Sequence, residues 1–85
     1  MKSFEYTIKD ELGIHARPAG MLVKAAAQFK STITVDTGVK KADAKKIMAL
    51  MSSGAKQGTV VTCTAEGDDE EEAIAAIQKF FEENL

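Results

Sequence analysis

The sequence holds no tryptophan and only one each of tyrosine, proline, cysteine and histidine. A lone cysteine, Cys63, excludes an internal disulfide and any cysteine-based zinc cluster. Lying in a strand-like run, Cys63 reads as a small buried hydrophobe rather than a nucleophile. No stretch approaches the roughly 20 apolar residues that span a bilayer. The opening MKSFEYTIKD also lacks the apolar centre of a signal peptide, so the expected setting is cytoplasmic, without membrane insertion. A formal charge of −2 gives no global attraction to nucleic acid. Tyr6 falls on the apolar face of its strand, so no aromatic platform is left for stacking bases. One histidine and no glycine-rich nucleotide loop argue against an independent hydrolase or transferase.

What is present supports a folded core, because 45% of residues are hydrophobic and 28% are charged. Disordered chains show the opposite balance. The 85 residues suit one domain, 1–85. A chain of this size buries only about 60% of its unfolded surface.

Phe4, Tyr6 and Ile8 alternate with Ser3, Glu5, Thr7 and Lys9, as in a strand with one buried face. Asp10 to Gly13 breaks the pattern. Ala19, Leu22, Val23, Ala26 and Phe29 then recur at helical spacing. Pro18 is compatible with a first turn, where its missing N–H has no intrahelical partner, so the helix starts near residues 15–16. Ser31 to Asp36 is β-branched and alternating, and Thr37-Gly38 leads into a short strand over Val39 to Ala42. Asp43 is positioned to N-cap a short helix containing Ile47, Met48, Leu50 and Met51, with Gly54 as its stop. Gly58 turns the chain into the strand Thr59 to Ala65. Asp69 with Glu72 forms a capping-box pattern for a last helix buried through Ala73, Ile74, Ile77, Phe80 and Phe81. The order β-α-β-β-α-β-α predicts two layers, a sheet covered on one face.

His15 stands at the mouth of the first helix. Free backbone N–H groups and the positive end of the helix dipole favour a neutral, nucleophilic ring there, and they welcome an anion attached to it. Histidine is among the side chains that form covalent intermediates. Arg17 adds a permanently charged fork matched to phosphate oxygens, and Pro18 stiffens the turn that aims both. On these residues alone, a surface histidine that merely ends a helix fits at least as well as phosphoryl transfer.

The short helix has its own signal. It is too short to bury Ile47, Met48, Leu50 and Met51 together, so Leu50 is expected inside and the other three at least partly exposed. Methionine-rich surfaces repack against unrelated partners. Gly20 and Met21, one turn past His15, extend that patch, and Lys24, Lys45 and Lys46, with Lys40 and Lys41 nearby, form a basic rim.

Gly13-Ile14-His15-Ala16-Arg17-Pro18-Ala19 resembles the active-site signature of the HPr family, the histidine-containing phosphocarriers of the bacterial sugar phosphotransferase system. Lys45 to Ser52 resembles that family's second signature, and the similarity runs nearly the whole chain. The resemblance implies an α+β fold, an open-faced sandwich of a four-stranded antiparallel sheet with three helices on one face. It also implies that His15 takes phosphate on Nδ1 from Enzyme I and passes it to enzyme IIA domains. Arg17 and the Ala16 backbone N–H would attend the phosphoryl group, with no metal or cofactor in the carrier, which acts as a substrate and not as an enzyme. A monomer suits that role.

One position departs from the pattern. In many such carriers of Gram-positive bacteria a serine between the matched Lys45 and Ile47 is phosphorylated by a kinase, and here Lys46 occupies it. A lysine cannot accept that phosphoryl group. The chain therefore reads either as a carrier from a lineage without the kinase or as a paralogue, acting as a regulatory docking module or in a non-sugar phosphorelay. Ser52 and Ser53 lie at the far end of the helix, where a phosphate would meet the negative dipole end.

Overall fold

Alternation at the start of the chain becomes strand β1, Lys2–Thr7, in a computed structural model that describes residues 1–85. Helix α1, Ala16–Ala27, precedes strands β2, Thr32–Asp36, and β3, Lys41–Asp43. Helix α2, Ile47–Met51, strand β4, Val60–Glu66, and helix α3, Glu70–Asn84, complete the order predicted from periodicity. The sheet runs β1-β4-β2-β3 with every pair antiparallel.

The register explains why only one face is covered. Phe4, Cys63, Val35 and Ala42 lie in one row across all four strands, and Tyr6 pairs with Val61 beside it. Their opposite-facing neighbours form rows of Ser3, Thr64, Thr34 and Asp43, and of Glu5, Thr62, Asp36 and Lys41. Because strand side chains alternate, the apolar rows must meet the helices and the threonine-rich rows form the open face. Phe81 of α3 sits edge-on to Phe4 at 5.7 Å and to Tyr6 at 5.6 Å. Leu22, Leu50, Ile77 and Phe81 are fully buried in one cluster with the sheet residues. Cys63 is buried there too, and loss of hydration pushes its thiol up to about 12. That is an inert, structural cysteine. No helix is long and apolar enough to cross a membrane.

Three capping expectations need correction. Asp43 belongs to β3, and the residue that N-caps α2 is Lys46, with no side-chain cap bond. The Asp43 carboxylate instead accepts from the Lys45 N–H at 2.8 Å, closing the turn before the helix. Asp69 is the N-cap of α3, yet its carboxylate makes no cap bond. It reaches across to the segment after α1, accepting from the N–H groups of Lys30 and Ser31 at 2.9 Å each and from the Ser31 hydroxyl. Glu70, not Glu72, reaches back, accepting from the Gly67 N–H at 3.2 Å. A long-range tie satisfying three donors displaces the local capping box. The C-cap of α2 is Ser52, so Gly54 (φ +80) lies two residues beyond it and turns the exiting chain. The third strand begins at Lys41, later than expected, because Thr37 to Lys40 form the turn itself, with Gly38 at φ +85.

Candidate active site

The loop entering α1 is held by a contact that only glycine permits. Gly13 adopts φ +66, and a Cβ there would lie 2.2 Å from the Ala55 carbonyl oxygen and 2.8 Å from the Lys56 Cα. The next residue donates its N–H to that same Ala55 oxygen at 3.2 Å, and the Ile14 side chain is buried. The segment following α2 is thus fastened to the segment preceding α1. From the other side, the carbonyl of Leu85 accepts from the N–H groups of Lys9 at 2.6 Å and Asp10 at 2.9 Å.

His15 emerges from this clamp as the N-cap of α1, with extended backbone (φ −111°, ψ −172°). Its carbonyl accepts the first helical bond from the Ala19 N–H at 2.9 Å, and its ring makes no capping bond. The N–H groups of Ala16 and Arg17 precede the first possible intrahelical acceptor and have no other protein partner. Pro18, buried in the same turn, has no N–H to satisfy. The His15 side chain is 37% exposed. Two free backbone donors, the positive helix end and the guanidinium of exposed Arg17 therefore lie around an accessible imidazole.

A cleft of about 410 Å³ opens here, lined by Asp10, His15, Arg17, Pro18, Met21 and Asn84. Two of these residues carry no clear signal in sequence. Asp10 lies in the stretch that reads only as a break in alternation, although its carboxylate forms a turn by accepting from the Leu12 N–H at 2.8 Å. Asn84 arrives from the far end of the chain on α3, and no local pattern links it to His15.

The apolar patch divides as expected. Leu50 is buried, whereas Ile47 is 40%, Met48 74% and Met51 45% exposed. Met21, 45% exposed, joins the patch to the cleft. Gly20 lies where α1 meets α2, since a Cβ there would sit 3.8 Å from Ile47 Cδ1. Lys24 and Lys46 stand exposed, and neither they nor Arg17 form an ion pair. Lys45 differs: it is half-buried, and its ammonium donates to the Phe29 carbonyl at 2.8 Å. It ties the approach to α2 onto the end of α1, where a cation suits the helix dipole. Lys40 is similarly occupied, donating to the Ser52 hydroxyl at 3.1 Å. Ser53 is buried, its hydroxyl donating to the Leu50 carbonyl at 2.6 Å.

Comparison with known proteins places this geometry in context. Residues 2–83 match the family described as PTS HPr component phosphorylation site. The phosphocarrier protein HPr of Mycoplasma genitalium is 45% identical over 86 residues, covering 99% of this chain and 97% of that protein. A crystal structure of HPr from Thermoanaerobacter tengcongensis superposes with a TM-score of 0.90 at 50% identity, covering 96% of this chain and 92% of the other. Crh, the catabolite repression protein of Bacillus subtilis, superposes at 0.79 with 35% identity, covering 100% of this chain and 98% of the other; its crystal structure is a swapped, intertwined dimer.

Proposed function

The chain belongs to the HPr family of phosphotransferase-system phosphocarriers, and from that premise we propose that it carries a phosphoryl group on His15, taken from Enzyme I and given to enzyme IIA domains. The observation that carries this reading is the half-exposed His15 ring at a helix mouth with two unused backbone donors beside it. Nδ1 attacks the phosphorus of the donor. The Ala16 and Arg17 N–H groups, the helix dipole and the Arg17 guanidinium then stabilise the phosphoryl oxygens. The chain is a substrate of its larger partners, which the exposed Ile47, Met48, Met51 and Met21 side chains would seat, with Gly20 between the helices and Lys24 and Lys46 at the rim. Lys45 contributes indirectly, by fixing the α2 approach.

Incubation with Enzyme I and phosphoenolpyruvate is expected to yield one acid-labile phosphohistidine. If His15→Ala is phosphorylated as well as the parent chain, the proposal is wrong.

A second reading has support in the similarity to Crh: a paralogue serving regulation by docking, or a non-sugar relay, although Lys46 at the usual serine position speaks against a serine-switched version and the intact His15 speaks for transfer. A His15→Ala chain that fully restores function in cells would favour docking alone. A monomer fits the carrier role, because donor and acceptor need the same histidine. A dimer in light scattering that occludes His15 would contradict it.

A further inference from the structure

The geometry points to Asp10 as a positioning residue for His15, one that leaves Nδ1 free for phosphoryl transfer and steadies the ring's positive charge once the phosphoryl group is attached. The inference rests on the carrier reading above.

Asp10 Oδ1 lies 4.0 Å from His15 Nε2. The carboxylate cannot swing freely, because the same oxygen accepts from the Leu12 N–H at 2.8 Å. Its own backbone is fixed on both sides, donating to the Leu85 carbonyl at 2.9 Å and accepting from the Gly13 N–H at 3.0 Å. Asp10 is the only anionic side chain lining the cleft. The other charged side chain there is Arg17, and Pro18, Met21 and Asn84 are neutral. The separation is beyond a hydrogen bond, as contacts between catalytic groups often are before the reacting group arrives.

A neutral imidazole carries one N–H. A carboxylate on the Nε2 side favours placing that proton on Nε2, which leaves the Nδ1 lone pair outward. In the transfer, that lone pair forms the N–P bond while the donor's bond to phosphorus breaks and its electron pair leaves with the donor. Nε2 keeps its proton, so the product ring is a phosphoimidazolium cation. Asp10 then faces the cationic edge, while Arg17 and the free N–H groups serve the phosphoryl oxygens. When an acceptor attacks, the N–P pair returns to Nδ1, the ring becomes neutral and Asp10 is again opposite an uncharged N–H.

The test compares the full chain with Asp10→Asn, which keeps an oxygen acceptor for the Leu12 N–H and removes the charge. Equal urea midpoints for the two chains establish that the loop is intact. Asp10→Ala, which loses both, serves as the second variant. The chains are phosphorylated with Enzyme I and phosphoenolpyruvate, and the ³¹P resonance of phospho-His15 is compared among them. Loss of the Asp10 charge beside the ring edge is expected to move the phospho-His15 ³¹P resonance in Asp10→Asn. Long-range ¹H–¹⁵N spectra of the unphosphorylated ring are expected to show a smaller Nε2–H fraction in both variants. Variant spectra identical to the parent overturn the inference, phosphorylated or not. A parent chain that takes no phosphate on His15 overturns the carrier reading instead, and the ring spectra still decide the role of Asp10.

Discussion

Replacing Gly13 with alanine measures the clamp that holds the His15 loop. The substitution meets two separable penalties. The first is conformational, since a non-glycine residue at φ +66 sits in the left-handed region, at about 1–2 kcal/mol. The second is steric: the new Cβ would stand 2.2 Å from the Ala55 oxygen and 2.8 Å from the Lys56 Cα, both backbone atoms with no side-chain rotamer to give way. Relief requires the 54–57 segment to move off, which removes the Ile14 N–H bond to Ala55 at about 0.5–1.5 kcal/mol. Together these give about 2–3 kcal/mol, or roughly 10–20 °C in Tm for a domain of this size. Gly38→Ala is the matched control, because Gly38 has φ +85 and nothing within 4 Å of its virtual Cβ. It is expected to lose only the conformational part. Thermal and urea unfolding followed by far-ultraviolet circular dichroism compare the two. If Gly13→Ala loses no more than Gly38→Ala, the close approach is not a rigid constraint and the clamp argument fails.

Two further outcomes follow from other parts of the structure. The Asp69 carboxyl is held below its ordinary value, first by the hydrogen bond from the Ser31 hydroxyl and next by the Lys30 N–H; the Glu70 carboxyl is lowered chiefly by its bond to the N-terminal ammonium. Groups depressed on folding contribute stability above the ordinary carboxylate range, and that stability is lost as pH falls through the folded values. Urea midpoints measured against pH are therefore expected to drop in acid, and Asp69→Asn should lower the neutral midpoint and flatten the drop; an unchanged acid slope contradicts the tie. Met48→Asp, at the most exposed residue of the α2 patch, is expected to leave stability within about 0.5 kcal/mol. Under the carrier proposal it should raise the KM for phosphorylation by Enzyme I about tenfold, as for an interface residue worth more than about 1 kcal/mol, and an unchanged KM removes Met48 from the proposed docking surface.

The fold was legible because its two periodicities are clean. Alternation in Phe4, Tyr6 and Ile8 and helical spacing in Ala19, Leu22 and Ala26 each point to one buried face, and those faces meet in the core. The exposure split within α2 was legible for a different reason: five residues cannot turn four large apolar side chains the same way. What escaped was long-range. Asp69 has the sequence of a local cap, but two N–H groups and a hydroxyl brought close by the sheet compete for its carboxylate and win. Lys45 has the look of a free surface cation, and its engagement with Phe29 depends on how α2 docks against α1. Asp10 and Asn84 reach the cleft through the packing of the α3 end against the first loop, which no periodicity encodes.

The placement of the patch and the histidine on one side of the molecule has a kinetic consequence. Met21 belongs to both the cleft and the exposed apolar surface, and Ile47 abuts α1 at Gly20. Under the carrier proposal, a protein that seats itself on those side chains covers His15, so that donor and acceptor would exclude one another. Flux through such a carrier is bounded by how fast the first complex falls apart, not by how tightly it forms. Competition among acceptors becomes a matter of their relative concentrations, and a partner that lingered would stall every other one in the queue.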